Sequence, residues 1–186
     1  MNKTMTKVIK DKAVKGMPIL QTMHMDKFGK SVTNRHVLIA ERFKEDYQPE
    51  MTGEINMHYN GYHMNGNYPE VDRLIPADTN ATWTIRYSDF EMVVKAMKKE
   101  KMLEFTMNEN SDILLNDLKI GTTDREFETT YVDPKYLLWL LEYAAEIVDK
   151  NTDITINWKN PFEPLSAVFD TEQMTSTFLL TPVRTY

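Results

Sequence analysis

The chain has 186 residues, 41% of them hydrophobic and 27% charged, which is the balance of an ordinary folded protein with room for one sizeable domain or two small ones. Its net charge of −6 offers no global attraction to nucleic acid, and zero cysteines exclude disulfides, Cys-ligated zinc, Fe–S clusters and thiol nucleophiles. No apolar run approaches the ~18 residues of a membrane span, MNKTMTKVIK lacks the apolar core of a signal peptide, and the missing cysteines fit a cytoplasmic protein.

Residues 1–16 carry Lys3, Lys7, Lys10, Lys12 and Lys15 against Asp11 and read as a solvated arm. Residues 19–25 read as a strand, 26–30 as a turn and 31–43 as a second strand with Val32, Val37, Ile39 and Phe43 apolar. The polar stretch 44–52, with Pro49, reads as a loop. Asn60-Gly61 between residues 55–59 and 62–64 predicts a two-residue hairpin that sets His58 opposite His63. Such a pair can begin a metal site, but no third ligand stands at matching spacing. No stretch before residue 80 has convincing helical periodicity, so residues 1–78 read as a mainly β, helix-poor segment.

Residues 66–76 hold Pro69 and Pro76 around a short run that reads as an extended, stiff joint between the segments. After a linker, residues 82–87 predict a strand. Ser88-Asp89-Phe90-Glu91 predicts a capping box opening a helix to about Lys99, with Phe90, Val93, Val94 and Met97 inward. Strands follow at 102–107, 113–122 and 126–132. Asp133-Pro134 is an N-cap with proline at the first helical position, and the helix runs to about Val148 on a buried side of Leu137, Leu140, Leu141, Ala144, Ile147 and Val148. Three strands close the chain at 153–158, 165–170 and 175–183. Residues 79–186 thus read as two helix-plus-strands units, each with its helix on one face of an antiparallel sheet, an α+β architecture.

The joint Gly66-x-Tyr68-Pro69-Glu70-x-x-Arg73-Leu74-Ile75-Pro76 resembles the segment between the second and third domains of bacterial DNA sliding clamps, the β subunit of the replicative polymerase. Val132-Asp133-Pro134-Lys135-Tyr136-Leu137-Leu138 resembles the start of the second helix of their last domain. Pro164-Leu165-Ser166-Ala167-Val168 and Phe178-Leu179-Leu180-Thr181-Pro182-Val183-Arg184 resemble its closing strands. Thr33-Asn34-Arg35-His36-Val37-Leu38 sits where clamps carry Thr-Asp-Gly-His-Arg-Leu and agrees at Thr, His and Leu. The resemblance implies a DNA-clamp-like fold, reduced to the last domain (residues 79–186) behind a truncated remnant (residues 1–78).

What the resemblance implies about function is a groove for clamp-binding peptide motifs of polymerase or repair proteins. The matching positions are Thr33, His36, Val37 and Leu38; Pro69, Arg73 and Leu74; Leu165 and Ala167; and Leu179, Leu180, Thr181, Pro182, Val183 and Arg184. Aliphatic side chains suit a floor for apolar anchors, and Arg73 and Arg184 suit a carbonyl or carboxylate. The resemblance also implies encirclement of double-stranded DNA by a homo-oligomer. Lys95, Lys98, Lys99 and Lys101 at the end of the first helix suit phosphates, whereas the outer stripe of the second, with Glu142, Glu146 and Asp149, would repel them. The expectation is therefore a non-enzymatic processivity or recruitment factor, with an interaction module lacking any DNA role as the alternative and a histidine-based metal-binding protein as a second. No nucleophile–base motif, Gly-rich phosphate loop, HExxH or GxSxG favours an enzyme, and no cofactor is implied.

Overall fold

The computed structural model describes residues 2–184. Helix α1 (Lys3–Ile9) precedes strands β1 (Thr22–Asp26), β2 (Gly29–Thr33), β3 (Val37–Phe43) and β4 (Ile55–His58). Then come β5 (Ala81–Arg86), α2 (Tyr87–Ala96), β6 (Leu103–Met107), β7 (Asp112–Leu115) and β8 (Leu118–Thr122). A second such unit follows: β9 (Thr130–Val132), α3 (Pro134–Ile147), β10 (Asp153–Trp158), β11 (Leu165–Asp170) and β12 (Met174–Leu180). Every strand pair is antiparallel. One sheet has eight strands in the order β4-β1-β2-β3-β12-β11-β10-β5, and the other has four, β8-β7-β6-β9. Among the described residues no helix is long and apolar enough to cross a membrane.

The N-terminal stretch is not a solvated arm. Met5, Val8 and Ile9, spaced i, i+3, i+4, are fully buried, while Lys3 and Lys7 stay outside. The Asn2 side chain accepts the Met5 amide as N-cap. The helix lies along α3, and with it α1-β1-β2-β3 repeats the helix-then-three-strands order of the two later units. Just after it, Asp11 accepts from the Ala13 amide and forms an ion pair with Lys135 of α3. Burial alone would raise the Asp11 pKa, but the Ala13 amide and the Lys135 ammonium outweigh it and hold the carboxyl below its usual range. A depressed carboxylate stabilises the fold above its unfolded pKa and loses that contribution as pH falls. Asp11→Asn should therefore lower the melting temperature at pH 7 by roughly 2–4 °C. In thermal melts the gap to wild type should shrink below about pH 4.

Three further expectations are corrected. Residues 31–43 are two strands, because the Asn34 carboxamide accepts the His36 and Val37 amides and Arg35 adopts φ 78°, reversing the chain. Residues 113–122 likewise split at Asn116-Asp117, both with positive φ, as a two-residue hairpin turn requires. The Ser88–Glu91 capping box does not form. The Tyr87 and Ser88 amides donate instead to the Thr152 and Lys150 carbonyls, so the helix start needs no side-chain cap, and Glu91 is left to accept from Tyr87 and Lys95.

Strand β3 is buried on both faces. Alternation sends Val37 and Ile39 into the main core, which the helices and both sheets share with Phe90, Phe105, Tyr143 and Phe178. Leu38 and Ala40 enter a second cluster with Leu20, Tyr68, Val71 and Leu179. On the helix side, Glu41 is 1% exposed; it pairs with Lys30 at 2.8 Å and accepts from the Tyr143 hydroxyl at 2.9 Å. Burial, followed by the Glu41 charge, pushes the Tyr143 phenol far above its usual range.

Candidate functional site

The second cluster is where residues 66–76 fold back on the sheet. They form no strand: Val71–Leu74 is a single 3-10 turn between the two prolines, with the Arg73 amide donating to the Glu70 carbonyl. Residues 67–70 find no sheet partner among the described residues, so anchorage comes from side chains. Tyr68 is buried, stacks on His24 with ring centroids 4.9 Å apart, and its hydroxyl accepts the Thr33 amide at 3.1 Å. Burial outweighs that amide and drives the Tyr68 phenol well above its usual range, so it stays neutral. Arg42 of β3 holds Asp72 from the other end of the turn.

Between this turn, the Asn34–His36 reversal and the start of the loop after β12 lies an open groove of about 430 Å³. That size is ordinary for a ligand cleft. Of the sequence-derived groove positions, Thr33, His36, Val37, Leu38, Pro69, Arg73, Leu74, Leu179 and Thr181 line it; Leu20, Arg35 and Pro164 join them. Among the described residues no carboxylate is in the lining. Arg73 is paired with Glu70 at 2.6 Å, Leu74 is 47% exposed, and His36 stacks on Tyr136 while its carbonyl accepts the Thr181 amide. Leu165, Ala167 and Leu180 are not in the lining. They belong to the main core, against Phe90 and Leu137. Register explains the division within β12: Leu179 pairs with Leu38, and its neighbour Leu180 takes the other face. Pro182, Val183 and Arg184 also lie outside the lining, and the Val183 amide donates to the Tyr131 carbonyl of β9.

The lysines proposed for phosphates, Lys95, Lys98, Lys99 and Lys101, are all exposed; Lys95 is paired with Glu91. Lys98 and Lys101 edge a cleft with Lys135, Trp139 and Glu142, and a neighbouring cleft across Trp139 is lined by Lys7, Lys10 and Lys12. The acidic outer stripe of α3 is where α1 sits. Glu146 accepts the Lys3 and Thr4 amides and the Thr4 hydroxyl, and Glu142 pairs with Lys7.

The two histidines do not face each other. The hairpin at Asn60-Gly61 has a three-residue loop: the His58 amide donates to the Tyr62 carbonyl, Gly61 adopts φ 88°, and His63 falls opposite Met57. One extra loop residue shifts the register and turns the pair apart. His58 is buried, stacked on Tyr62 and tilted against Tyr59, with Nδ1 accepting the Asn60 amide. Among the described residues no three metal-ligating side chains gather.

An α+β fold of repeated helix-and-strand units, with helices on one side of antiparallel sheets, is the architecture of the bacterial DNA sliding clamp, and this chain has that fold. It is similar to the DNA polymerase β subunit of Streptococcus pyogenes (TM-score 0.73, 16% identity, 98% of this chain and 64% of that one). It is also similar to a putative DNA polymerase III β subunit of Eubacterium rectale (TM-score 0.74, 10% identity, 97% and 62%). A third is the sliding clamp of Bartonella birtlesii bound to griselimycin (TM-score 0.68, 14% identity, 92% and 60%). The chain therefore spans less than two thirds of the length of these structures, and at such identities the likeness is one of fold. No protein-family model and no curated protein matches the sequence.

Proposed function

We propose that the protein is a non-catalytic, clamp-like recruitment factor that holds a short apolar peptide segment of a polymerase or repair protein. Residues 1–78 and 79–186 act as two clamp-like segments meeting at the groove. The observation that carries this reading is the groove itself: an apolar floor from Leu20, Leu38 and Leu179, a wall from Pro69 and Leu74, and arginines at the rim. Leu74 and Arg73 are the residues to vary, because both are exposed and neither supports the core. In fluorescence anisotropy with a labelled clamp-binding peptide, Leu74→Glu and Arg73→Ala should each weaken binding about ten-fold or more. Their melting temperatures should match wild type. Unchanged affinity in both variants would remove the groove from the peptide's path.

A second reading, contact with double-stranded DNA by a self-associated form, is favoured by the packing of α1 on α3. With Glu142 and Glu146 of α3 engaged by α1, the two clefts beside Trp139 present Lys98, Lys101, Lys10 and Lys12, with Glu100 as an exposed carboxylate among them. Retention on duplex DNA should then fall steeply with salt, and replacing Lys98, Lys99 and Lys101 by alanine should lower the log–log salt slope by about one per lysine in contact with phosphate. A salt-independent or undetectable interaction would leave the peptide-recruitment role alone.

A further inference from the structure

We infer that Arg35 makes the groove selective for a peptide with an aspartate or glutamate side chain beside its apolar anchor; this rests on the groove reading above. Arg35 stands at the centre of the Asn34–His36 reversal with φ 78°. That is the left-handed region, where a side chain bearing Cβ is disfavoured and glycine is at ease. Nothing local requires arginine there. The Asn34 carboxamide closes the turn by accepting from His36 and Val37, and the Arg35 amide donates to the Thr33 hydroxyl, all through groups that a glycine at 35 would leave in place. The side chain is exposed and lines the groove. Among the described residues it makes no ion pair, whereas Arg73, the other arginine of the lining, is taken up by Glu70.

A disfavoured backbone conformation that carries a cation, without an ion pair among the described residues, into an apolar cleft is the kind of local departure that accompanies a binding role. The surroundings choose the partner. The floor is aliphatic, so the occupant brings an apolar side chain, and among the described residues the lining contains no carboxylate to neutralise Arg35. An incoming carboxylate can take the guanidinium fork with two parallel hydrogen bonds, next to apolar surface that thins the competing water. The commitment is to an acidic side chain within a peptide, not to a chain terminus.

The test uses the full chain and acetylated, amidated hexapeptides that contain two leucines, with aspartate or asparagine placed at each other position in turn. Blocked ends remove the terminal carboxylate as a source of affinity. In wild type, aspartate at one position should bind about ten-fold tighter than asparagine there, and the gain should shrink with added salt. Arg35→Gln should reduce that gain to less than about two-fold while leaving the asparagine peptide unaffected, and Arg35→Lys should restore part of it. Arg35→Gly should lose the gain equally yet melt at or above the wild-type temperature, a result that a purely structural role for Arg35 would not produce. An aspartate gain that survives Arg35→Gln, or its absence at every position while the leucine peptides still bind, overturns the inference and leaves the groove standing. Failure of every peptide to bind overturns both.

Discussion

Replacing Lys30 by methionine is expected to cost about 3–5 kcal/mol of folding stability, because it strands a buried carboxylate. Glu41 lies across the β2–β3 ladder from Lys30 and is 1% exposed; its remaining partner would be the Tyr143 hydroxyl. Urea denaturation should show the midpoint falling at unchanged slope. The decisive control is the double variant Lys30→Met, Glu41→Gln. Removing the charge along with its partner should recover most of the loss, since the penalty belongs to the unpaired ion and not to the missing contact. A double variant as unstable as the single one would show that Lys30 acts through packing of its stem.

The second large effect is expected at Tyr68, where the fold and the groove are coupled. Tyr68→Ala removes a buried aromatic ring from the outer cluster and should cost about 3–5 kcal/mol. Tyr68→Phe keeps the ring but orphans the buried Thr33 amide, at about 1–3 kcal/mol. The milder variant is the more informative one. Thr33 and Pro69 both line the groove, and the Tyr68 hydroxyl accepts a hydrogen bond directly between their two segments. Tyr68→Phe should therefore weaken peptide binding by more than its modest loss of stability would predict at a temperature where the protein is fully folded. Calorimetric titration beside a thermal melt separates the two effects.

The parts legible in the sequence were those with local causes. Helix α3 has a proline at its first position, an aspartate cap and a clear buried stripe, and it forms where the pattern puts it. Helix α1 has the same kind of periodicity in Met5, Val8 and Ile9, but over seven residues interleaved with lysine, too short to stand out; its stability comes from α3 beneath it. The reversals at Asn34-Arg35 and Asn116-Asp117 contain no glycine or proline, so alternation appeared to run straight through them. In the groove, Pro69, Arg73 and Leu74 were reached through the resemblance of the joint. Leu20 and Pro164 are separated from it by long stretches of chain and meet it only in the folded molecule, so no spacing rule could find them. Neither could spacing decide between Leu179 and Leu180. That depends on which neighbour β12 pairs with, and it pairs with β3.

That same pairing has a bearing on how the chain comes into being. Seven residues of β3 line up with seven of β12, and residue 37 meets residue 180. Strand β3 thus keeps one edge open until β12, far downstream in the chain, has been translated. Through that interval Val37, Leu38 and Ile39 sit on an unpaired edge, the situation in which strands recruit wrong partners. A ladder between residues so far apart also forms late and slowly, since the loop must close before any bond rewards it. Translation speed and chaperone access, as well as the stability of the finished molecule, should then affect how much of this protein reaches its native state in a cell.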